Sequence, residues 1–398
     1  MQNQTHIKPN LDEILEQIQN SEFKEVIQQA NDEALKRMKQ ANPILIGIGK
    51  AKDHVPEMRE NLILHAGPPI TWKQASGALK GAIIAGLLFE GLAKTKEEAI
   101  AIMEKGDVDL GSCHDHNAVG PMAGIITASM SVYIIEDQMS GYRTYSNISD
   151  DPGDYRGSSI RFGVYEKRAI DHIHWLERDV VPILNQAILD AGGIDFVPII
   201  GKSLLMRDDC HVTMNAATPL FLRKLMPGII KACRNKELMT KIITLIYQDD
   251  LFALNPIMAT CKAIGDAGRN VNHSSIVTTM ARNGTEFGIK VSGLGNQWFT
   301  GLSEIGRPVL LMPGVSPSDI NRDMGDSAIT ETMGLGGTVK SISGSSQDAI
   351  NITLKMYDIT HAESDSFRIP ELDGRGAPMG FDILKIVDKK SAPQSTLV

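Results

Sequence analysis

The spacing of apolar positions changes several times along the chain, and each change predicts a different element. Apolar residues at helical spacing in SEFKEVIQQANDEALKRMKQAN predict an amphipathic helix capped by Asn20 or Ser21. The isoleucine-rich run ANPILIGIGKAKD is typical of a buried strand. Residues 74–93 are apolar almost all round, which predicts a helix packed closely on a sheet. TKEEAIAIMEKGD predicts a capped helix closed by Gly106, and GIITASMSVYIIED predicts a strand.

The middle of the chain has a different pattern from its two flanks. Between residues 165 and 270, helical periods broken by Pro and Gly follow one another, and after 271 short strands and glycines return. The pattern and the length of 398 residues predict a multi-domain α+β fold, in which both flanks form a mixed α/β framework around an inserted helical domain. The predicted parts are an N-terminal helical arm (1–42), the mixed α/β domain (43–164 and 271–388), the helical domain (165–270) and a flexible tail (389–398).

Charge and composition narrow the classes of function. The formal net charge is -8 and no dense Lys/Arg cluster occurs, which argues against binding to nucleic acid. The start of the chain has no apolar signal region, and no window of 18 unbroken apolar residues occurs, so we expect a cytoplasmic protein without membrane spans. Four widely spaced cysteines do not form a disulfide framework.

Five glycine-rich polar segments carry the candidate chemistry. They are GSCHDHNAVGPMAG, MRDDCHVTMNAAT, NHSSIVTTMARNGTEFGIKVSGLGNQWFTG, GDSAITETMGLGG and LDGRGAPMGFD. Each alone is compatible with turns that need positive φ, but glycines also let backbone N–H groups approach a phosphate or an oxyanion. Neither GxxxxGK[ST] nor GxGxxG after a strand occurs, so no nucleotide and no other cofactor is predicted.

Metal binding is an alternative that the cysteines and histidines leave open. Cys113, His114 and His116, together with Cys210 and His211, have donor types that suit zinc. Neighbouring residues of an extended segment point to opposite faces, however, and neither CxxC nor HExxH occurs. We therefore predict no metal, and we expect the imidazoles to donate hydrogen bonds or to carry protons.

Arginines in these segments favour a pocket for a small anion. Arg207, Arg282 and Arg375 stand beside small or turn-forming residues, and a guanidinium binds a carboxylate or a phosphate through two parallel hydrogen bonds. The alternative is that they pair with Asp326, Asp373 or Asp382 and only tie loops together.

Taken together, the motifs resemble a known family. HAGPPITW, CHDHNAVGPMAG, CHVTMNAAT, MARNGTEFGIKVSGLGNQWF, GDSAITETMGLGG and LDGRGAPMGFDILKIV resemble, in this order, the YlbE/AllG-like family from about Asn42 to Asp388. The family's own motif tends towards CHHHGAVGPMAG, so Asp115 and Asn117 replace a histidine and a glycine here.

The resemblance implies a subunit of oxamate carbamoyltransferase, which interconverts oxalurate plus phosphate with oxamate plus carbamoyl phosphate in anaerobic allantoin breakdown. It also implies an oligomer with an FdrA-type subunit and a third subunit as partners, and small anionic substrates. Two other classes of function stay open: a non-catalytic scaffold subunit of that complex, and a metal-dependent hydrolase of a small amide.

Residue roles in carbamoyl transfer follow from side-chain chemistry alone. The primary hypothesis lists catalytic His114, His116 and Glu331, and substrate-binding Asn117, Arg282, Asn283, Gly334, Gly336, Gly337 and Arg375. In this hypothesis an arginine holds the oxamate carboxylate, glycine amides receive phosphate, and a histidine moves the proton. The secondary candidates are Asp208, His211, Asn215, His273, Asp326, Ser327 and Asp373.

Overall fold

A computed structural model describes residues 23–152, 159–305, 321–344 and 346–388. The predicted helix cap at Asn20 or Ser21 and the predicted tail at 389–398 lie outside these residues.

Helices dominate the middle of the described chain and mix with strands on both sides, so the protein has an α+β fold, as predicted. The helices are α1 (Phe23–Gln40), α2 (Ala51–His54), α3 (Gly77–Phe89), α4 (Lys96–Lys105), α5 (Lys167–Trp175), α6 (Val181–Asp190), α7 (Val197–Leu205), α8 (Ala217–Ala232), α9 (Lys236–Gln248), α10 (Leu254–Ala267), α11 (Ala328–Thr332), α12 (Lys340–Ser343), α13 (Gln347–Ile359) and α14 (Ile383–Asp388). The strands are β1 (Pro43–Lys50), β2 (Leu62–His65), β3 (Asp109–Ser112), β4 (Ala118–Val119), β5 (Ile125–Ile126), β6 (Ser131–Asp137), β7 (Arg143–Asn147), β8 (Ile194–Asp195), β9 (Val277–Asn283), β10 (Glu286–Val291), β11 (Phe299–Leu302), β12 (Met324–Gly325), β13 (Thr360–Ile369) and β14 (Arg375–Phe381).

Local chemistry explains several boundaries. The Ser76 hydroxyl accepts the Leu79 N–H at the start of α3, and the Thr95 hydroxyl accepts the Glu98 N–H at the start of α4. Helix α4 ends at Gly106, which has a φ of 77°. The helix and the cap predicted there are confirmed.

Within the described residues, the strands pair in four groups. The orders are β4-β7-β6-β1-β8, β11-β10-β9-β12, β3-β2-β5 and the hairpin β13-β14. Strand β8 comes from the predicted helical domain and pairs antiparallel with β1. One cluster of buried apolar residues runs from Ala30 to Met379 and includes side chains of α1, β1, α6 to α10 and β14. The predicted domain bounds stay a prediction, because the core does not mark them.

Helix α1, the described part of the predicted arm, lies against the body of the protein. Its Asn31 side chain is buried; it accepts the Ser274 hydroxyl and the Ser275 N–H, and donates to Ser275 Oγ. No helix within the described ranges is both long enough and apolar enough to cross a membrane.

Candidate functional site

Strand β9 separates two clusters of ionisable side chains. Alternate residues of a strand point to opposite faces, and residues paired across strands share a face. Arg282 pairs with Phe287, whereas Lys290 pairs with Thr279, so Arg282 and Lys290 lie on opposite faces of this sheet. We call the groups the His211 cluster (His211, Arg282, Asp323 and Glu331) and the His114 cluster (His114, Asp115, Lys262, Lys290 and Asp326).

The His211 cluster joins three distant segments. His211 Nδ1 lies 3.0 Å from Glu331 Oε1, and Arg282 Nη2 lies 3.9 Å from Glu331 Oε2. Arg282 Nε lies 3.0 Å from Asp323 Oδ2. Glu331 Oε2 is buried and receives no hydrogen bond from the described residues. The His211 side chain retains 15% of its exposure, so this imidazole is accessible from solvent while its carboxylate partner is buried.

The loop that carries His211 is held by carboxylates rather than by regular structure. Asp209 Oδ1 accepts the N–H groups of His211, Val212 and Thr213. Cys210 adopts a φ of 60°, a conformation that non-glycine residues rarely take and that often marks functional loops. This packing aims the imidazole at Glu331.

Burial and charge set the protonation of the His211 cluster. Burial acts to lower the pKa of His211, but the charge and hydrogen bond of Glu331 outweigh it and raise this pKa above its ordinary value. Burial acts to raise the pKa of Glu331, but His211 and Arg282 hold it below its ordinary value. Burial raises the pKa of Asp323. His211 and Glu331 therefore favour an imidazolium beside a carboxylate, and the imidazolium can donate a proton to a leaving group.

The glycine run after α11 does not offer a row of available amides. The Gly334 N–H donates to the Glu331 carbonyl, and the Gly336 N–H donates to the Asp209 carbonyl. The Gly337 N–H contributes to the low pKa of Glu331. A Cβ on Gly336 would lie 2.8 Å from His211 Nδ1, so glycine is needed here for the close approach of the imidazole. The run shapes the His211 cluster instead of forming an open phosphate cradle.

The His114 cluster is built around a buried imidazole. His114 Nε2 lies 3.3 Å from Asp326 Oδ1, and His114 Nδ1 lies 3.4 Å from Lys262 Nζ. Lys262 Nζ lies 2.8 Å from Asp266 Oδ2. Burial lowers the pKa of His114, although Asp326 acts in the opposite direction. The neutral form is therefore favoured more strongly for the His114 imidazole than for the His211 imidazole.

Asp326 also fastens two glycine turns. Its Oδ1 accepts the Gly67 N–H at 2.6 Å and its Oδ2 accepts the Gly120 N–H at 2.9 Å. A Cβ on Gly67 would lie 2.4 Å from the Arg282 carbonyl carbon, so this turn is seated directly on β9. Asp326 therefore holds together three motifs of the family resemblance, HAGPPITW, CHDHNAVGPMAG and GDSAITETMGLGG.

Lys290, Asp115 and Trp298 complete the second cluster. Lys290 Nζ forms a short ion pair with the Asp115 carboxylate and lies 4.7 Å from the centre of the Trp298 ring. The Trp298 indole N–H donates to both Asp115 oxygens, at 3.0 and 3.2 Å. Burial lowers the pKa of Lys290, and Asp115 opposes this shift.

Other residues of the primary hypothesis have different surroundings. His116 Nδ1 lies 3.0 Å from the Ser112 carbonyl oxygen, and its Nε2 lies 3.9 Å from Glu57. Arg375 stacks on Tyr357 at the exposed start of β14 and pairs with Glu363 at 2.7 Å, so the two predicted arginines have separate partners. The structure thus does not bring His116, Arg282 and Arg375 into one cluster.

The two asparagines of the hypothesis make hydrogen bonds with the protein. Asn117 Oδ1 accepts the Tyr142 hydroxyl at 2.6 Å, and Asn117 has a φ of 58°. The Asn283 side chain donates to the Pro68 carbonyl and accepts the N–H groups of Thr285 and Glu286. Both side chains thereby fix turns beside the clusters.

The remaining secondary candidates are spread over several environments. Asp208 accepts the N–H groups of Cys210, Ala216 and Ala217, which places it at the start of α8. Ser327 is buried next to Asp326, whereas Asn215, His273 and Asp373 are exposed. Among the secondary candidates, His211 and Asp326 lie within the clusters.

Lys262, Lys290 and Asp323 were missed by the sequence reasoning. Lys262 lies in ALNPIMATCKAIGDA, where one lysine stands four residues before Asp266 on an otherwise apolar helix, a spacing that brings the two side chains together. Lys290 alternates with apolar residues in FGIKV. A single lysine among apolar residues is a signal from which a buried ion pair could have been predicted.

The cysteine and histidine donors do not converge. Within the described ranges, no group of three or more His, Cys, Asp or Glu side chains is arranged to hold a metal ion. Cys113 and Cys210 are buried, and burial raises the pKa of each thiol well above its ordinary value.

The fold and both clusters define an α+β protein with paired charges buried on either side of one strand. The family model described as oxamate carbamoyltransferase subunit AllG matches residues 108–327. The oxamate carbamoyltransferase subunit AllG of Escherichia coli strain K12 is 35% identical over 379 residues, which cover 92% of this chain and 89% of that protein. The chain therefore belongs to the AllG family, which confirms the resemblance found in the sequence.

Two further proteins are similar over most of the chain. The uncharacterized protein YahG of Escherichia coli strain K12 is 39% identical over 382 residues, covering 94% of this chain and 79% of that protein. A crystal structure of a conserved protein of unknown function from Enterococcus faecalis V583 has a TM-score of 0.88 and 37% identity, covering 92% of this chain and 89% of that one.

Proposed function

We propose that this chain is a subunit of an oxamate carbamoyltransferase that converts oxalurate and phosphate into oxamate and carbamoyl phosphate. The observation that carries the proposal is the buried Glu331 Oε2, to which no side chain of the described residues donates a hydrogen bond and which lies 3.9 Å from the Arg282 guanidinium. Buried acceptors are rarely left unsatisfied, so this oxygen is a candidate acceptor for a ligand N–H. Oxalurate and oxamate each combine an amide N–H with a carboxylate, and Arg282 suits the carboxylate.

His211 is the proposed proton donor. When phosphate attacks the carbamoyl carbon, the C–N bond to oxamate breaks and the leaving nitrogen needs a proton. The raised pKa of His211 favours the imidazolium, which gives this proton and recovers one from the attacking phosphate. In this proposal His211 replaces His114, which is buried against Asp326 and Lys262, and His116, which lies beside the Ser112 carbonyl and Glu57, away from Arg282 and Glu331.

Binding of the phosphate that attacks oxalurate is proposed to come from the partner subunits. The amides of Gly334 and Gly336, which the sequence favoured for this purpose, already donate to protein carbonyls. The FdrA-type subunit and a third subunit are the proposed partners in anaerobic allantoin breakdown. The chain is therefore expected to be active only in the assembled complex, in the cytoplasm.

Substitution of the two arginines tests the proposal. In the reconstituted complex, Arg282→Gln should lower kcat/KM for oxalurate phosphorolysis about 10- to 100-fold, the worth of a charged hydrogen-bonded pair. Arg375→Gln is the matched control and should keep normal activity, because its guanidinium pairs with Glu363 on the hairpin surface. Full activity of both variants would refute the assignment.

One observation favours a non-catalytic scaffold subunit instead. The Arg282 guanidinium lies near two carboxylates, Asp323 and Glu331, so the His211 cluster has no evident excess of positive charge. Calorimetry of the chain alone with oxalurate, oxamate and carbamoyl phosphate separates the two functions. A scaffold should bind none of them. The proposed subunit should bind oxalurate or oxamate, and Arg282→Gln should lower that affinity.

A further inference from the structure

The Asp115 carboxylate is held as a bound ligand would be. It contacts the Lys290 ammonium, and it accepts the indole N–H of Trp298. These three residues come from the segment after β3, from β10 and from the loop before β11. An ammonium and an N–H donor that converge on one carboxylate are the elements of an oxyanion site.

The Lys290 and Asp115 side chains differ in how far they are exposed to solvent. Lys290 lies within a strand and its side chain keeps only 2% of its exposure, so the ammonium is buried. Asp115 belongs to the single 3₁₀ turn Cys113–His116, and its side chain keeps 31% of its exposure. Rotation of Asp115 into solvent would leave Lys290 buried without its counter-ion, which is costly unless another anion takes the place.

A second buried ammonium adds to the local positive charge. Lys262 acts on the pKa of Lys290 through its charge, so the two ammonium groups lie close enough to repel. Asp266 pairs with Lys262, and Asp326 is occupied by two glycine N–H groups and by His114. Lys262 therefore keeps its own counter-ion, and Lys290 needs one negative charge when Asp115 turns outward, which a bound oxyanion can supply.

We propose that Lys290 and Trp298 form a binding site for a phosphate-type oxyanion, and that Asp115 occupies this site when no anion is bound. The site lies on the opposite face of β9 from Arg282, so it is separate from the proposed oxalurate site. Binding requires only that Asp115 turns outward. The inference does not depend on the proposed reaction.

Trp298 fluorescence provides a direct measurement. The chain has three tryptophans, so the double variant Trp72→Phe, Trp175→Phe leaves Trp298 as the reporter. Titration with inorganic phosphate at pH 7 should change its emission saturably. Asp115→Asn should tighten binding about tenfold or more, because the competing carboxylate is gone, and Lys290→Met should abolish binding.

Lys80→Met is the matched control. Its ammonium lies 5.5 Å from the centre of the Trp72 ring, in a surface cleft, so it is also a lysine over a tryptophan, but no carboxylate of the described residues bridges the two. Phosphate binding, measured by calorimetry in the chain with all its tryptophans, should be unchanged in this variant. Lys290→Arg keeps the cation and should retain binding.

Several outcomes would overturn the inference. Absence of saturable phosphate binding in both the parent chain and Asp115→Asn would do so, and so would undiminished binding in Lys290→Met. Binding of oxamate without phosphate would exclude a phosphate-type site. If Lys290→Met does not fold, the phosphate affinities of Asp115→Asn and the parent chain test the inference. Asp115→Asn should bind phosphate more tightly if the Asp115 carboxylate competes for the site, and equal or weaker binding would contradict the inference.

Discussion

Protonation of the buried side chains depends on their individual partners. His114 is buried and His211 is partly buried, yet the pKa of His211 is raised and that of His114 is lowered. Glu331 outweighs burial in its effect on the pKa of His211, whereas burial and Lys262 outweigh Asp326 in their effect on the pKa of His114. At the scale of single residues, the two imidazoles therefore differ in the proton chemistry that they can perform.

Glu331→Gln should reverse the shift of His211. Without the carboxylate, burial remains the largest influence, so the pKa of His211 should fall below its ordinary value; NMR titration of its ring protons measures this. In the unmodified protein the raised pKa stabilises the fold fully below the ordinary histidine pKa, and this contribution is lost as pH rises through the folded-state value. Unfolding of Glu331→Gln by urea should lack that pH dependence.

Glu363→Gln is the control for this substitution. Glu363 is a half-exposed carboxylate that pairs with Arg375, so its loss should leave the titration of His211 unchanged. An unshifted His211 in Glu331→Gln would show that the carboxylate does not govern this imidazole.

Sequence could identify residue types at the site but not their partners. Arg282 and Arg375 both stand in glycine-containing segments, and nothing local distinguishes the one facing Glu331 from the one facing Glu363. Lys290 and Asp115 are 175 positions apart, and such contacts arise from tertiary packing. Local pattern carries no information about which strand face meets which loop.

At the scale of elements, the Gly67 turn positions the backbone of the site. Gly67 has a φ of 84°, and its N–H donates to Asp326. A Cβ there would come within 2.6 Å of Arg282 and Asn283 backbone atoms. The turn and β9 can stay in contact only with glycine at this position.

Gly67→Ala should therefore lower the free energy of unfolding by more than the strain of the positive φ alone would. The positive φ costs about 1–2 kcal/mol for an L-residue, and the backbone clash should bring the loss to about 3 kcal/mol or more. Gly374→Ala is the matched control, with a φ of 76° and open space around the added Cβ, and should lose only the first part. Urea unfolding measures both, and equal losses would contradict the close approach.

Elements with local signals were predictable from the sequence. Helix α4 was bounded by Thr95 and Gly106, whose capping depends on neighbouring residues only. The predicted strand in GIITASMSVYIIED divides into β5 and β6, which pair in different sheets. That division comes from pairing with β2 and β1, and neither partner is visible in the local pattern.

At the scale of the whole molecule, the apolar core joins parts that the sequence pattern separates. Leu45 of β1 is fully buried in the same cluster as Leu184 of α6 and Phe221 of α8. Strand β8 adds backbone pairing between the helical segment and β1. These contacts favour a framework and a helical block that unfold together.

Leu45→Ala distinguishes one cooperative unit from two domains. The truncation should lower the free energy of unfolding by about 2–5 kcal/mol, the usual cost of a large-to-small change in a core. If the core is shared, native-state hydrogen exchange should show the same loss of protection in α8 and α9 as in β1 and β6. Leu92→Ala, at an exposed position, should change stability by less than about 0.5 kcal/mol. Unchanged protection of α8 and α9 in Leu45→Ala would instead support the separate helical domain that the sequence predicted at 165–270, since a domain with its own core is insensitive to a cavity in its neighbour.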